Sequence, residues 1–593
     1  MSNLITLQKW LENKGLDGFL VPMADQFQSE YVPSSDRRLE WLTGFSGSAG
    51  SAIILSGKAA FFTDSRYTLQ ASEQVDNALF ERYDSGQLSP GEWLKKELDS
   101  YGNMQRKIAY DPWLYTENSL LYLKEVADKN GVLLVALEQN PIDELWIDRP
   151  DKIQEIGFIH QAKYSGQAFD KKIEFITKNL ESDIVIITLP ESVCWLLNLR
   201  GNALPHTPVI LCYAMVGKDG LVKLFASENA IPSEAINAWQ SRVSVYPLSE
   251  FVPQLQKIKN EVVQIDPVSS PIAVMELLQG NEVDLQRSVD PCLLLKSCKN
   301  DVELEGMRNA HIRDGVAMVR FLHWLEMALE NEEEITEISA SDQLEKFRSE
   351  EDYFRSLSFD TISGYGAHGA IIHYRADDQS NAHLKKEGLY LLDSGGQYLD
   401  GTTDITRTLA LGTPTIEQKK HFTLVLKGHI ALDNAVFPKG TTGSQLDILA
   451  RQPLWSEGLD YGHGTGHGVG HFLGVHEGPQ RISKHPSKIA LQEGMVLSNE
   501  PGFYLEGQYG IRIENLVAVA SADLGSGDER EFLRFETLTL CPIDISLVDM
   551  SLLTSEEVSW LNSYHAKTYH TLSPLLGDED RIWLRSKTKE YTL

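Results

Sequence analysis

Cysteine is rare in this sequence. The chain of 593 residues has five cysteines, at Cys194, Cys212, Cys292, Cys298 and Cys541. They are scattered and show no Cys-x-x-Cys spacing, so the sequence offers no disulfide framework. We therefore expect buried, reduced thiols and a reducing compartment rather than the exterior of the cell.

Long apolar runs and an excess of basic residues are also lacking. The sequence contains no window of about 18 apolar residues, the length needed to span a bilayer, so we expect no membrane-spanning segment. The start at Met1–Trp10 has no basic region followed by an apolar stretch, so we expect no signal peptide. Lys and Arg number 54 against 84 Asp and Glu, a formal charge of −30. This charge argues against binding to nucleic acid or to an anionic membrane, and it suits a cytoplasmic enzyme.

The chain is too long for a single core, and its pattern changes twice. Residues 1–155 alternate amphipathic helices with apolar strands, which is typical of an α/β layer structure. Residues 156–300 repeat its frame of a strand, Trp-Leu-x-x-(Phe/Leu)-x-Gly and two strands, with Trp195–Gly201 corresponding to Trp41–Gly47. Residues 301–593 open with a capping box, in which Asn300 caps a long helix. We predict a duplicated α/β domain before a third domain that carries the chemistry.

Glycine alternates with histidine or small residues from Gly462 to His471. Each glycine inside a helix costs about 0.8–1 kcal/mol relative to alanine, so this run favours extended backbone. The glycines would then share one face, which predicts close approach of another backbone or of a ligand. The opposite face would carry the alternate residues His463, Thr465, His467, Val469 and His471.

Four acidic residues stand at the ends of predicted strands. Asp393 ends an apolar strand, and two tight turns then bring Asp404 back beside it at the start of the next strand. Glu500 follows another strand, which Pro501 terminates. Glu514 ends a strictly alternating strand in which Arg512 faces the same way.

These four carboxylates and one imidazole from the glycine-rich run form a candidate metal site. Carboxylates in one pocket repel each other strongly unless cations neutralise them. Two doubly charged ions would balance four carboxylates, so charge favours a dinuclear site. The oxygen-rich donor set points to Mn²⁺, with Co²⁺, Fe²⁺ or Zn²⁺ as alternatives. Spacing alone leaves another interpretation open, in which the aspartates form turns and the glutamates lie on exposed strand surfaces.

Five segments in the last 300 residues resemble the signatures of the pita-bread metallopeptidases: Asp393–Gly395, Thr403–Thr408, His463–Gly470, Asn499–Tyr504 and Gly510–Asn515. Within that family the whole chain is similar to the long three-domain form of the Xaa-Pro aminopeptidases (aminopeptidase P). Further segments fit that form: Phe62–Tyr67, Trp195–Gly201, Ala367–Tyr374 and Val475–Pro479. The resemblance implies creatinase-like α/β domains at 1–155 and 156–300, and a pita-bread α+β domain at 301–593 with an extension from about 541.

The resemblance also implies a role for each metal ligand. Asp393, Asp404 and Glu514 would hold one divalent ion. The ligands of the second ion would be Asp404, His467, Glu500 and Glu514, so Asp404 and Glu514 would bridge the pair. Arg512 would support the carboxylates from behind.

The substrate residues come from the same resemblance. His373 and His476 would donate to the substrate carbonyl, His463 and Tyr504 would line the proline pocket, and His467 would face the substrate as well. Arg66 would reach the substrate from the first domain. Without the resemblance, His373 in its apolar strand would be interpreted as a core histidine, Arg66 as part of a surface ion pair and Asp400 as a turn residue.

The reaction implied is removal of the N-terminal residue from peptides with proline second. A hydroxide bridging the two ions would attack the carbonyl before proline, and Glu500 would carry the proton to the departing nitrogen. A homodimer is implied as well. Two alternatives stay open: a prolidase that accepts only dipeptides, and a pita-bread protein that binds peptides without catalysis.

Overall fold

The computed structural model describes residues 2–99, 106–524 and 530–592. The chain divides into one compact unit of residues 1–161 and 167–293 and another of residues 162–166 and 294–593. Within the described ranges, no helix combines the length and the apolar character that a membrane crossing requires. The predicted domain boundaries at residues 155 and 300 stay predictions.

The first half of the first unit is built around a six-stranded sheet. Its strands are β1 (Gly18–Pro22), β2 (Ser51–Leu55), β3 (Lys58–Thr63), β4 (Glu81–Asp84), β5 (Arg106–Tyr110) and β6 (Val132–Ala136). The accompanying helices are α1 (Asn3–Asn13), α2 (Arg38–Thr43), α3 (Thr68–Gln74), α4 (Pro90–Asp99), α5 (Glu117–Lys129) and α6 (Pro141–Leu145). The spatial order is β4-β3-β2-β1-β5-β6. Alternate residues of β1 enter the two cores on either face of the sheet, Phe19 and Val21 on one side and Leu20 on the other.

The second half of that unit repeats the pattern. Its strands are β7 (Gly157–Ile159), β8 (Ile184–Ile187), β9 (Leu199–Gly201), β10 (Cys212–Gly217), β11 (Val222–Ala226), β12 (Val243–Pro247), β13 (Val262–Ile265) and β14 (Asp284–Arg287). The helices from residue 162 to residue 297 are α7 (Ala162–Ser165), α8 (Phe169–Lys178), α9 (Pro190–Leu196), α10 (Ser233–Trp239), α11 (Phe251–Leu255), α12 (Ile272–Gln279) and α13 (Pro291–Ser297).

The duplication is visible in the topology of the two sheets. The second sheet has the order β12-β11-β10-β8-β13-β14. In each sheet a central strand, β1 or β8, pairs antiparallel on one side and parallel on the other. The predicted repeat of an α/β fold is therefore confirmed in its strand order.

The second unit combines small antiparallel sheets with long helices. Its helices beyond α7 are α14 (Asp301–Glu330), α15 (Glu337–Ser349), α16 (Ile416–Asp433), α17 (Gly443–Trp455), α18 (Ser555–Leu572) and α19 (Asp578–Lys587). Its strands are β15 (Phe354–Leu357), β16 (Ile362–Tyr365), β17 (Leu389–Ser394), β18 (Gly396–Tyr398), β19 (Gly401–Thr402), β20 (Ile405–Ala410), β21 (Val436–Pro438), β22 (Gly466–His467), β23 (Arg481–Ile482), β24 (Val496–Asn499), β25 (Gly502–Leu505), β26 (Tyr509–Arg512), β27 (Asn515–Ala522) and β28 (Phe532–Thr537). A sheet β16-β17-β20 and a sheet β21-β28-β27-β24 carry the candidate site.

The start of α14 confirms the predicted capping box. The Asn300 side chain accepts from the backbone amide of Glu303, and the Glu303 carboxylate accepts from the backbone amide of Asn300. Near the end of the chain, Thr554 and Glu557 form the capping box of α18. The helix α19, which follows it, was not predicted from the sequence.

Three local predictions differ from the structure. His373 lies in a turn after a short 3-10 segment, Gly366–Ala370, and not in a strand. The alternating strand stops at Arg512, because the amide of Glu514 donates to the carbonyl of Thr406 instead of continuing the ladder of β26. The glycine-rich run forms a strand only at Gly466–His467, with one further bridge from Gly468 to Leu497, since its other residues bond to several different segments.

We predict that Gly428→Ala lowers the stability of the second unit. A methyl group at Gly428 of α16 would overlap the carbonyl oxygen of Ala450 in α17, which is backbone and cannot rotate away. So close an overlap should cost about 3 kcal/mol, the upper end for overpacked cores, against a gain of about 1 kcal/mol from alanine in a helix. Scanning calorimetry should show a lower midpoint. Ser559→Ala, on the exposed face of α18, is the control and should leave the midpoint unchanged; an unchanged Gly428→Ala would contradict the packing argument.

Candidate metal centre

Antiparallel pairing brings the two aspartates together. In the ladder of β17 and β20, Asp393 lies opposite Thr406 and Ser394 lies opposite Ile405. Asp404 immediately precedes Ile405, so its backbone lies at the same end of the ladder as Asp393. Both side chains are buried, with exposed fractions of 7% and 4%.

The two glutamates meet by the same principle in another sheet. Asn499 of β24 pairs with Asn515 of β27 in antiparallel register. Glu500 follows the first of these residues and Glu514 precedes the second, so both emerge at one end of the ladder. The amide of Glu514 also donates to the carbonyl of Thr406 at 3.1 Å, which ties this sheet to the strand that follows Asp404.

The glycine-rich run delivers His467 to this position. A side chain at Gly466 would overlap the carbonyl oxygen of Ser498, and one at Gly468 would overlap that of Glu477. The predicted close approach of other backbone is therefore present. Nδ1 of His467 lies 3.0 Å from the carbonyl oxygen of Gly468, to which it can donate a hydrogen bond, and Nε2 faces the carboxylates.

Three of the predicted ligands can contact a common ion. Asp404, His467 and Glu514 each offer one ligand atom, and these atoms lie within 4.8 Å of one another. Nε2 of His467 lies 3.5 Å from Oδ2 of Asp404 and 3.9 Å from Oε1 of Glu500. Within the described residues, Oδ1 of Asp393, Oδ1 of Asp404 and Oε1 of Glu514 are buried without a hydrogen-bond partner. Buried carboxylate oxygens without donors fit a divalent cation.

The pKa values describe the same crowding. Burial raises the pKa of Asp393 to about 7; the guanidinium of Arg512 opposes this rise, and the negative charge of Asp404 adds to it. Burial and the charges of Asp404, Asp393 and Glu500 raise the pKa of Glu514 well above its ordinary value. Burial alone would lower the pKa of His467, but Asp404 and Glu500 raise it to about 9. Bound cations would relieve this repulsion.

Arg512 links the carboxylates to the predicted proline pocket. Its Nη2 donates to Oδ2 of Asp393 at 2.7 Å, and its Nη1 donates to the hydroxyl of Tyr504 at 2.7 Å. The same hydroxyl lies 2.8 Å from Nε2 of His463. The main-chain carbonyl of His463 accepts from Arg451, whose guanidinium stacks on the ring of Tyr461 at 3.8 Å. Asp393, Arg512, Tyr504 and His463 therefore form one continuous chain of contacts.

Three other predicted residues have different surroundings. The ring of His476 packs edge-on against that of His467, with centroids 4.3 Å apart. His373 is half-buried, and the carbonyl of its neighbour Ile372 lies 3.4 Å from Nη2 of Arg512. Arg66 belongs to the first unit, where it donates to both carboxylate oxygens of Asp64 at 2.8 Å, which is the ion pair that the alternative interpretation proposed. Asp400 pairs with Arg313 and contributes nothing to the cluster.

Thr406 and Arg407 also contact the cluster, and no role was predicted for either residue from the sequence. The Thr406 hydroxyl donates to Oε2 of Glu514 at 2.7 Å and accepts from Nε of Arg512 at 3.1 Å. Arg407 donates to the carbonyl of Glu514 at 2.7 Å, and also to the carbonyl of Cys541 and the hydroxyl of Tyr564. Alternation from Asp404 places Thr406 on the ligand face, but no sequence signal marks the long-range partners of Arg407.

A buried triad of charged residues lies next to His476, and it was not predicted from the sequence either. Glu477, next to His476, binds Lys299 at 2.6 Å and Lys296 at 3.0 Å, and all three side chains are at most 4% exposed. The amide of Glu477 donates to the carbonyl of Gly468, which is the acceptor for His467. The triad therefore anchors the segments of both histidines.

Four family models match most of the chain. The model of Metallopeptidase family M24 matches residues 305–521, and that of the C-terminal region of peptidase_M24 matches residues 531–591. Two models of the Creatinase/Prolidase N-terminal domain match residues 4–145 and 148–303.

Full-length relatives agree with this assignment. A probable Xaa-Pro aminopeptidase P of Laccaria bicolor is 42% identical over 98% of this chain and 92% of its own length. One of Aspergillus niger is 39% identical over 99% and 98%. The crystal structure of an X-prolyl aminopeptidase from Caenorhabditis elegans, described as a cytosolic enzyme with a di-nuclear active site, has a TM-score of 0.92 at 36% identity and covers 97% of this chain and 95% of its own. This chain therefore belongs to metallopeptidase family M24, in its Xaa-Pro aminopeptidase branch.

Proposed function

We propose that this metalloaminopeptidase hydrolyses the bond between an N-terminal residue and a proline in second position, using two divalent ions. The observation that supports it best is the cluster of Asp404, His467 and Glu514, with ligand atoms within 4.8 Å and unpartnered carboxylate oxygens. The proline specificity is supported by the names of the relatives from Laccaria and Aspergillus.

The proposed ligand sets follow the family pattern on this chain's residues. Asp393, Asp404 and Glu514 would hold one ion, and Asp404, His467, Glu500 and Glu514 the other. Mn²⁺ is the proposed metal because carboxylate oxygens dominate the donor set. When bound, the two ions would lower the pKa of a shared water enough to supply hydroxide near neutral pH.

Glu500 is the proposed proton carrier. Its burial and the negative charge of Asp404 raise the pKa of its carboxyl group, whereas the positive charges of His467 and Arg512 limit this rise. A carboxylate that lies beside the attacking water can accept its proton as a general base. Glu500 would then deliver this proton to the proline nitrogen as the bond breaks.

Histidines would bind both the reacting carbonyl group and the proline ring of the substrate. His373 and His476 are proposed to donate to the oxygen of the reacting carbonyl, whose negative charge grows in the transition state. An imide nitrogen has no hydrogen to donate, so recognition of proline must depend on shape. The face formed by His463 and Tyr504, whose rings lie 5.4 Å apart, is the proposed pocket wall, and His467 would face the substrate beside it.

Three further features belong to the proposal. Arg66 would contact the substrate, and its bidentate bond with Asp64 fixes the plane of its guanidinium. We also propose a homodimer, from the family resemblance. A cytosolic setting is proposed from the description of the worm enzyme.

We predict that Asp404→Asn removes both bound ions. The amide keeps the shape of the side chain but loses the charge that two cations would share. Elemental analysis of protein dialysed after loading with Mn²⁺ should find the ions in the wild type and none in the variant, and hydrolysis should be lost with them. Asp400→Asn, in the same hairpin but paired with Arg313, is the control and should keep its metal. Full metal content in Asp404→Asn would contradict the bridging role.

The peptide Arg-Pro-Pro should be cleaved far faster than Arg-Ala-Ala. A pocket that selects ring shape discriminates by on the order of 10²-fold in kcat/KM, and the Mn²⁺-loaded protein should release free arginine from the first peptide. Liquid chromatography of the products provides the measurement. Equal rates on the two peptides would end the proline assignment. Cleavage of the dipeptide Arg-Pro alone would favour the prolidase alternative.

His476→Ala should lower kcat by about 10²–10³-fold, as expected when one donor to a developing oxyanion is lost. The metal content should stay at the wild-type level, because His476 is not among the proposed ligands. Steady-state kinetics and elemental analysis test both statements. The control His485→Ala, at an exposed histidine, should behave like the wild type. If His476→Ala kept its turnover, the carbonyl would have to be held by other groups.

A further inference from the structure

A second buried carboxylate lies outside the metal cluster. Glu337 is the first residue of α15, and its side chain has no exposed surface. An isolated charge in such a position is strongly unfavourable. The helix N-terminus and nearby donors offset this cost, so the contacts of Glu337 define what the carboxylate holds in place.

Four donors to this carboxylate come from one segment, residues 365–382. Oε1 accepts from the backbone amide of Tyr365 at 2.7 Å and lies 2.8 Å from Nδ1 of His368. Oε2 accepts from the hydroxyl of Tyr374 at 2.8 Å and from the amide of Ala382 at 2.9 Å. Each carboxylate oxygen therefore has two donors, and the donors come from the two ends and the middle of one loop.

This loop reaches the metal centre from two sides. It follows β16, in which Ile362 pairs with Asp393 across the ladder to β17. Its first turn packs against β26, because a side chain at Gly510 would overlap the carbonyl oxygen of Gly369. The loop also carries His373, which directly precedes Tyr374. The Tyr374 ring stacks on that of His368 with centroids 4.5 Å apart.

We propose that Glu337 is a positioning residue for the reaction, acting through His373. By binding the loop at Tyr365, His368, Tyr374 and Ala382, the carboxylate fixes the backbone on both sides of His373. The histidine would then meet the substrate carbonyl without a cost for ordering the loop at the moment of reaction. The inference rests on the proposed function, because His373 has its role only there.

Glu337→Gln tests this inference. The amide keeps the size of the side chain but places an N–H group against donors at Tyr374 and Ala382, so the loop loses part of its anchor. In Mn²⁺-loaded protein acting on Arg-Pro-Pro, kcat should fall about 10–10²-fold, the loss expected for a misplaced catalytic group. KM should change by less than about twofold, since donation to the oxyanion is strongest in the transition state.

A double-mutant cycle with His373→Ala separates positioning from general stability. If Glu337 acts through His373, Glu337→Gln should have no further effect on kcat once His373 is alanine. An equal loss in both backgrounds would overturn the proposal, as would an unchanged kcat for Glu337→Gln alone. If His373→Ala kept its full rate, Glu337 would have nothing to position, although the peptidase itself would stand. A wild type that fails to cleave Arg-Pro-Pro would instead refute the proposed function and the inference with it.

Two further variants guard against a folding defect. Tyr374→Phe keeps the ring stacked on His368 and removes one donor, so it should lower kcat by about fivefold, the equivalent of one hydrogen bond. Asp433→Asn is the control carboxylate: it accepts from Thr537 and Trp560 at 2.7 Å, away from the loop. It should lower the melting temperature and leave kcat unchanged. An equal loss of kcat in Asp433→Asn would show that Glu337 affects stability only.

Discussion

Electrostatic repulsion among buried carboxylates is the constraint on which the second unit depends. Asp393, Asp404 and Glu514 are all at most 7% exposed, and each raises the free energy of its charged neighbours. The chain holds them together because each stands at the end of a hydrogen-bonded ladder, so the backbone fixes its position independently of the side chains. Sheet formation therefore provides the free energy that keeps the acids close. Divalent ions would reduce the repulsion when bound and so stabilise the folded unit.

Buried ionic contacts around the centre hold the supporting loops. Arg512 binds Asp393, Lys296 and Lys299 bind Glu477, and Glu337 collects the donors of residues 365–382. Arg512, Glu477 and Glu337 are each buried with partners for their charge, the condition under which such groups specify a unique arrangement. The loops that carry His373 and His476 are thus tied to buried charges, although they have little regular secondary structure.

The extent to which the sequence predicts this structure depends on the range of the interactions. Turn chemistry places Asp393 and Asp404 at adjacent strand ends, because both turns involve neighbouring residues. Hydrophobic pattern predicts the two α/β repeats, whose strand orders agree. The hydrophobic pattern fails to predict the local structure where a residue distant in sequence binds the backbone. Two isoleucines, Ile371 and Ile372, directly precede His373 and favour a strand, yet this stretch forms turns in a loop that Glu337 binds. Likewise, alternation cannot reveal that Glu514 leaves its strand to bond with Thr406.

Arg407 connects the region after residue 541 to the metal centre, although this region is distant from the predicted ligands in the sequence. One guanidinium group holds the carbonyl of Glu514 together with the carbonyl of Cys541 and the hydroxyl of Tyr564. The helix α18, which carries Tyr564, is therefore tied to the backbone of a proposed metal ligand. A shortened homologue would have to bury this cation against other oxygens or replace the arginine, so covariation between the two segments should be strong across the branch.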